Sequence, residues 1–236
     1  MSIERLDVMI ATTDGQMPTL VYIPADLTPR PAILLLMEAF GITPHIQDVA
    51  TRIANEGYVV LIPDLYYRQL PNNKFGYDEV EKAMAMMWSL DFGKPMEADL
   101  QASLSYLKSR SDVQPGKIGV TGFCLGGGLS FLTACKFSDR IVLAAPFYGM
   151  VFDEWIEAVT DITVPIYLFF GGIDPFIPIN RINQVESRFK ALDKEFSLKV
   201  YPDATHGFFC NDRNSYNRAA AEDSWHELIQ FFHKYL

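Results

Sequence analysis

Cysteine and histidine are both scarce in this sequence, with three of the first and four of the second among 236 residues. Cys124, Cys135 and Cys210 are odd in number and widely spaced, and no Cys-x-x-Cys pair occurs, so no disulfide framework is expected. The histidines do not sit at metal-ligand spacing with them, and neither a zinc site nor any other cofactor is expected. The first residues, Met1-Ser2-Ile3-Glu4-Arg5, lack the basic and then apolar pattern of a secretory leader. Long apolar runs are missing too: a stretch such as 32–37 is far too short to span a bilayer. A soluble cytoplasmic protein in a reducing compartment is the expectation. Positive charge is also short, with a formal net charge of −9. Such a chain repels nucleic acid and anionic membrane surfaces, so neither is an expected partner. A monomer or a weak homo-oligomer fits these properties.

Hydrophobic residues make up 49% of the chain and charged residues 21%, enough apolar material for a sizeable core and too much for disorder. No linker, internal repeat or low-complexity tract interrupts it, so residues 1–236 are expected to form one domain. Residues 3–10 and 17–23 read as strands joined through Asp14-Gly15, the signature of a hairpin. The run 32–37 is continuously apolar, as in a strand buried on both faces. Beyond it, helical periodicity at 45–56, 76–91, 96–110, 125–137, 178–194 and 215–235 alternates with short apolar runs at 58–62, 117–121, 141–147, 166–170 and 196–201. Residues 149–163 read as an irregular insertion. Alternating strands and helices predict an α/β fold, a mostly parallel, doubly wound sheet with an N-terminal antiparallel hairpin. In such sheets ligands bind beyond the carboxyl ends of the strands.

The sharpest motif stands at one of those ends. Gly122-Phe123-Cys124-Leu125-Gly126-Gly127-Gly128 follows the strand at 117–121 and opens the next helix. This is the Gly-x-nucleophile-x-Gly elbow of an α/β-hydrolase, with Cys in place of Ser. The glycines are needed because a strand that turns directly into a helix brings backbone segments within contact distance. The same turn puts Cys124 at a helix N-terminus, where the dipole favours a thiolate. The Leu125 N–H is then placed to stabilise an oxyanion. Two plainer readings compete: a buried structural cysteine in a glycine-rich contact, and a dinucleotide-binding loop. The second lacks the Gly-x-Gly-x-x-Gly spacing.

An elbow nucleophile needs an acid and then a histidine later in the chain. Asp174 follows the strand at 166–170, and His206 follows the strand at 196–201. His206 would take the Cys124 proton and return it to the leaving group, while Asp174 would hold the imidazole's tautomer. Singly, Asp174 reads equally well as a turn cap and His206 as a surface histidine. The order of the three, each at a strand end, favours a Cys-His-Asp triad.

Glu38 ends the most apolar strand, within Met37-Glu38-Ala39-Phe40-Gly41, which puts an acid at the active-site end of the sheet. With this segment, the sequence resembles the dienelactone hydrolase family (carboxymethylenebutenolidase-like proteins). The resemblance rests on 38–41, on Pro63-Asp64-Leu65-Tyr66-Tyr67-Arg68, on Trp88, on the elbow, and on Asp174 and His206-Gly207-Phe208. It implies that the acid at Glu38 helps generate the thiolate. It also implies that the N–H groups of Leu125 and Ala39 form the oxyanion hole, and that a lactone is opened through an acyl-enzyme without a cofactor.

The same resemblance places a substrate carboxylate on an Arg in the helix before Trp88 and on another four residues after the histidine. Here residues 74–87 contain no Arg, and position 210 is Cys. Arg68 and Arg213 are the candidate replacements, with Phe40 and Trp88 as candidate apolar substrate contacts. Beside the lactone hydrolase stand two alternatives, a general esterase or thioesterase and a non-catalytic receptor or redox sensor built on Cys124.

Overall fold

A computed structural model describes residues 2–25, 28–69 and 74–236. Eight strands form a mixed sheet in the order β1-β2-β4-β3-β5-β6-β7-β8. They are β1 (Ile3–Thr12), β2 (Gly15–Pro24), β3 (Arg30–Leu36), β4 (Val59–Pro63), β5 (Val113–Phe123), β6 (Leu143–Phe147), β7 (Ile166–Gly171) and β8 (Phe196–Tyr201). The helices are α1 (Pro44–Asn55), α2 (Val80–Trp88), α3 (Lys94–Ser109), α4 (Leu125–Phe137), α5 (Asp153–Glu157), α6 (Ile179–Ala191) and α7 (Arg218–Tyr235). The α/β expectation and its N-terminal hairpin are met. No helix among the described residues is long and apolar enough to cross a membrane. The chain divides into two compact units, Met1–Gly119 and Val120–Leu236.

In the first unit, β1 and β2 pair antiparallel from Ile3↔Pro24 to Thr12↔Gly15. β2 then pairs antiparallel with β4, which runs parallel to β3. All five β4 residues are buried, as is the run from Ala32 to Gly41, so the apolar runs of the sequence do mark strands covered on both faces. α1 begins where the Thr43 side chain accepts a hydrogen bond from the Ile46 N–H (3.3 Å) and ends at Gly57, whose φ of 98° few other residues adopt.

In the second unit, β6, β7 and β8 are parallel neighbours. α4 is apolar all round and every residue from Leu125 to Cys135 is buried, the condition of a helix enclosed on all sides. Its two hydroxyls are satisfied internally, Ser130 donating to the Gly126 carbonyl (2.8 Å) and Thr133 to that of Leu129 (2.7 Å). Segment 149–163, read as irregular, contains the five-residue α5 and a 3₁₀ turn at Ala158–Asp161. One turn of helix is too short to show a period, and it is held instead by burial of Trp155 and Ile156. β5 begins earlier than the sequence predicts, because the strand runs through Pro115-Gly116 with Gly116 at φ 73°.

One buried ion pair in the first unit stands apart from the exposed ones. The Asp99 side chain has no exposure, and both terminal nitrogens of Arg68 and the Tyr67 hydroxyl (3.0 Å) donate to it. Asp99→Ala is expected to lower unfolding free energy by about 2 kcal/mol, because it leaves the half-buried Arg68 guanidinium with Asp14 alone. Removing the exposed Arg218–Glu222 pair is expected to cost no more than about 0.5 kcal/mol. Urea denaturation of the two variants measures the difference, and equal losses would contradict it.

Candidate active site

The elbow forms as the glycine pattern requires. Cys124 has φ 58° and ψ −114°, a strained conformation for a residue with a side chain. A Cβ at Gly122 would lie 2.4 Å from the Gly126 carbonyl oxygen, and one at Gly127 would lie 2.2 Å from that of Phe147. Neither position accepts even alanine without backbone movement. The Cys124 N–H donates to the Phe147 carbonyl (3.1 Å), which fastens the turn to the end of β6. Leu125 opens α4, and first-turn amides of a helix have no acceptor within it. Of the three cysteines, Cys124 is partly accessible while Cys135 and Cys210 are buried.

His206 and Asp174 converge on this turn within the same unit. His206 Nδ1 and Asp174 Oδ2 are 2.8 Å apart, and the Cys124 side chain lies near enough to act on the charge of the imidazole. With Nδ1 engaged by the carboxylate, Nε2 is the nitrogen left for sulfur. The Asp174 side chain is fully buried, and its other oxygen accepts from the N–H groups of Phe176 (2.8 Å) and Ile177 (3.1 Å). One oxygen of Asp174 therefore caps its own turn and the other holds the imidazole. Burial alone would push the His206 imidazole down. The influence of Cys124 and the hydrogen bond to Asp174 outweigh it, raising the imidazole from 6.5 to about 10.

Two aromatic rings flank this imidazole. Tyr148 and Phe176 each meet it edge-to-face with centroids 5.1 Å away. Tyr148 is fully buried, at φ 36°, and its N–H donates to the Phe169 carbonyl (2.7 Å). Neither ring was visible in the sequence as a site residue. The only signal is that each follows a strand or the acid by one or two positions.

Glu38 lies in the first unit and is fully buried. Its Oε2 accepts from the Tyr77 hydroxyl (2.9 Å), while Oε1 has no hydrogen-bond partner among the described residues. The loop holding it is tied down on three sides. Gly41 N–H donates to the Glu38 carbonyl (3.0 Å), Phe75 N–H to that of Phe40 (3.0 Å), and the Tyr66 hydroxyl to that of Ala39 (2.7 Å). Phe40 also stacks edge-on with Tyr77 at 4.8 Å. Tyr66 and Tyr77 are contacts that sequence reasoning did not supply.

Arg68 is committed to Asp14 (2.7 Å) and Asp99. Trp88 is half exposed at the end of α2, edge-on to Phe92. The Arg213 guanidinium lies over Gly207, where a Cβ would come within 2.3 Å of Nη1. Among the described residues no group of three or more His, Cys, Asp or Glu side chains is gathered for a metal ion.

A model of the dienelactone hydrolase family matches residues 17–236. The chain belongs to the dienelactone hydrolase family. A curated relative from Synechocystis sp., named "Putative carboxymethylenebutenolidase", is 33% identical over 211 residues, covering 86% of this chain and 85% of its own. "Protein usf" of Aquifex pyrophilus is 32% identical over 210 residues, covering 87% and 89%. A crystal structure of a "Putative Dienelactone Hydrolase" from Klebsiella pneumoniae superposes with a TM-score of 0.91 at 25% identity over the whole of both chains. The chain is thus a dienelactone hydrolase-like α/β-hydrolase, a family whose members act on small molecules.

The raised imidazole yields a prediction about pH. A group whose folded value is raised contributes stability that is present in full below 6.5 and is lost as the pH rises through about 10. The imidazole resonances of His206 are therefore expected not to titrate between about pH 6 and pH 8. A midpoint near 6.5 would show that the pair with Cys124 is not formed.

Proposed function

We propose that this dienelactone hydrolase-like protein is a carboxylic-ester hydrolase that opens a lactone or cleaves an ester through a covalent intermediate on Cys124. The observation that carries the reading is the continuous chain of contacts from Asp174 to His206 to Cys124 at a strained turn. The sulfur, negative beside the imidazolium, attacks the ester carbonyl. The developing oxyanion meets the Leu125 N–H, joined in the family resemblance by the Ala39 N–H. Collapse of the tetrahedral adduct expels the alcohol, which takes the proton from His206 Nε2. Water then attacks the thioester with His206 as base, releasing the acid and restoring the sulfur. Asp174 holds the ring in the tautomer that both steps need. Glu38 is assigned, on the resemblance, to assist ionisation of the cysteine. The run of the family match through both units, 17–236, favours reading 1–236 as one hydrolase domain.

A second reading, a general esterase rather than a lactonase for carboxylate-bearing substrates, draws support from Arg68. Its guanidinium is already matched by two carboxylates, and a substrate anion would have to compete with both. Arg213, beside Gly207, is the other candidate for a substrate carboxylate.

Cys124→Ala is expected to reduce hydrolysis of p-nitrophenyl acetate by at least about 10³-fold without loss of fold. Retained activity would end the proposal. A panel of lactones carrying a free carboxylate, set against neutral p-nitrophenyl esters, separates the two readings. Higher kcat/KM on the carboxylates, lost in Arg213→Gln, supports the lactonase. Preference for the neutral esters supports the esterase.

A further inference from the structure

The loop that carries the proposed catalytic acid, together with the first residue of α6, presents three large apolar side chains to solvent. Ile173 is 64% exposed, Phe176 52% and Ile179 51%. Exposed apolar residues are common singly, but these fall within seven positions on one segment beside the site already described. Nor is the segment loose. The Ile173 N–H donates to the Ala204 carbonyl (3.1 Å), and the N–H groups of Phe176 and Ile177 are held by Asp174. Pro175 and Pro178 stiffen it further. A rigid segment that keeps such side chains in water forgoes the burial that folding normally gains.

Phe176 connects this patch to the chemistry, because its ring lies edge-on against the His206 imidazole with centroids 5.1 Å apart. Any group extending from a carbonyl at Cys124 and passing over that imidazole meets Phe176. Between Gly172 and Asn180 the segment carries no Lys, Arg or His, and its single acid, Asp174, is turned inward and buried. The lip has no means of holding a substrate charge.

We infer that Ile173, Phe176 and Ile179 form a specificity lip that binds a neutral, apolar acyl chain of the substrate, covering it over the His206 ring. The inference rests on the esterase reading above and names its substrate class. Transferring each methylene of the chain from water to such a lip raises kcat/KM by up to about fourfold. The gain is limited by the length of chain the lip can cover.

The test compares p-nitrophenyl acetate, butyrate and hexanoate with the wild-type protein and with Cys124→Ala, Phe176→Ser, Phe176→Leu and Ile179→Ser. Wild-type kcat/KM is expected to climb by about threefold per methylene from acetate to butyrate. Phe176→Ser should flatten that climb to within about twofold across the series, and Phe176→Leu should restore most of it. Ile179→Ser should reduce the climb at hexanoate more than at butyrate. An unchanged chain-length slope in both serine variants overturns the lip. So does a uniform loss on all three esters in Phe176→Ser, which would make the ring only a support for His206. If the wild type hydrolyses none of the esters, or if Cys124→Ala hydrolyses them equally well, the esterase reading itself fails and the lip falls with it.

Discussion

The backbone at Cys124 is the constraint from which the arrangement of Cys124, His206 and Asp174 follows. A residue with a side chain held at φ 58° and ψ −114° costs of order 1–3 kcal/mol, and it persists only where its surroundings leave no alternative. Those surroundings are specific. Gly122 lies under the Gly126 carbonyl and Gly127 under that of Phe147, and the Cys124 amide is pinned to the end of β6. α4, buried along nearly its whole length, has nowhere to shift. The strain is balanced by packing, and the result is a sulfur presented at the start of a helix in a fixed direction.

A fixed sulfur is useful only if the imidazole is fixed as well. His206 is held from several directions, by Asp174 at Nδ1, by Cys124, and by the edges of Tyr148 and Phe176. The acid loop and the histidine loop are also joined through backbone, Ile173 N–H to the Ala204 carbonyl. The Asp174–His206 contact therefore does not depend on two side chains finding one another across a gap. Asp174 uses one oxygen for its own loop and the other for the imidazole, which couples the order of the loop to the tautomer of the ring. The raised imidazole is the electrostatic consequence of Cys124 and Asp174 sharing its buried site.

Much of this was legible in the sequence, for physical reasons. Glycine spacing around Cys124 reports backbone proximity, which only small residues permit, so the elbow could be read directly. Asp174 and His206 were legible because strand ends are where a parallel sheet places ligands, and strands announce themselves as apolar runs. The hairpin followed from Asp14-Gly15. What escaped was convergence without pattern. Tyr77 reaches Glu38 from 39 positions away, Tyr66 reaches the Ala39 carbonyl, and two rings close on His206, yet no spacing rule marks these pairs. Arg68 illustrates the converse. A lone Arg after a strand end reads as a substrate clamp, and only the structure shows its guanidinium between Asp14 and Asp99, the second of these on a helix 31 positions downstream.

The central claim is that Cys124 carries the acyl group during turnover, and rapid-quench peptide mapping by mass spectrometry tests it most directly. Acid-quenched within the first turnover on p-nitrophenyl acetate, the peptide that includes Cys124 should gain one acetyl group, and the modification should vanish once substrate is exhausted. An acetyl group found on another residue with kinetics that match turnover, or none anywhere while p-nitrophenol is being released, would contradict the account.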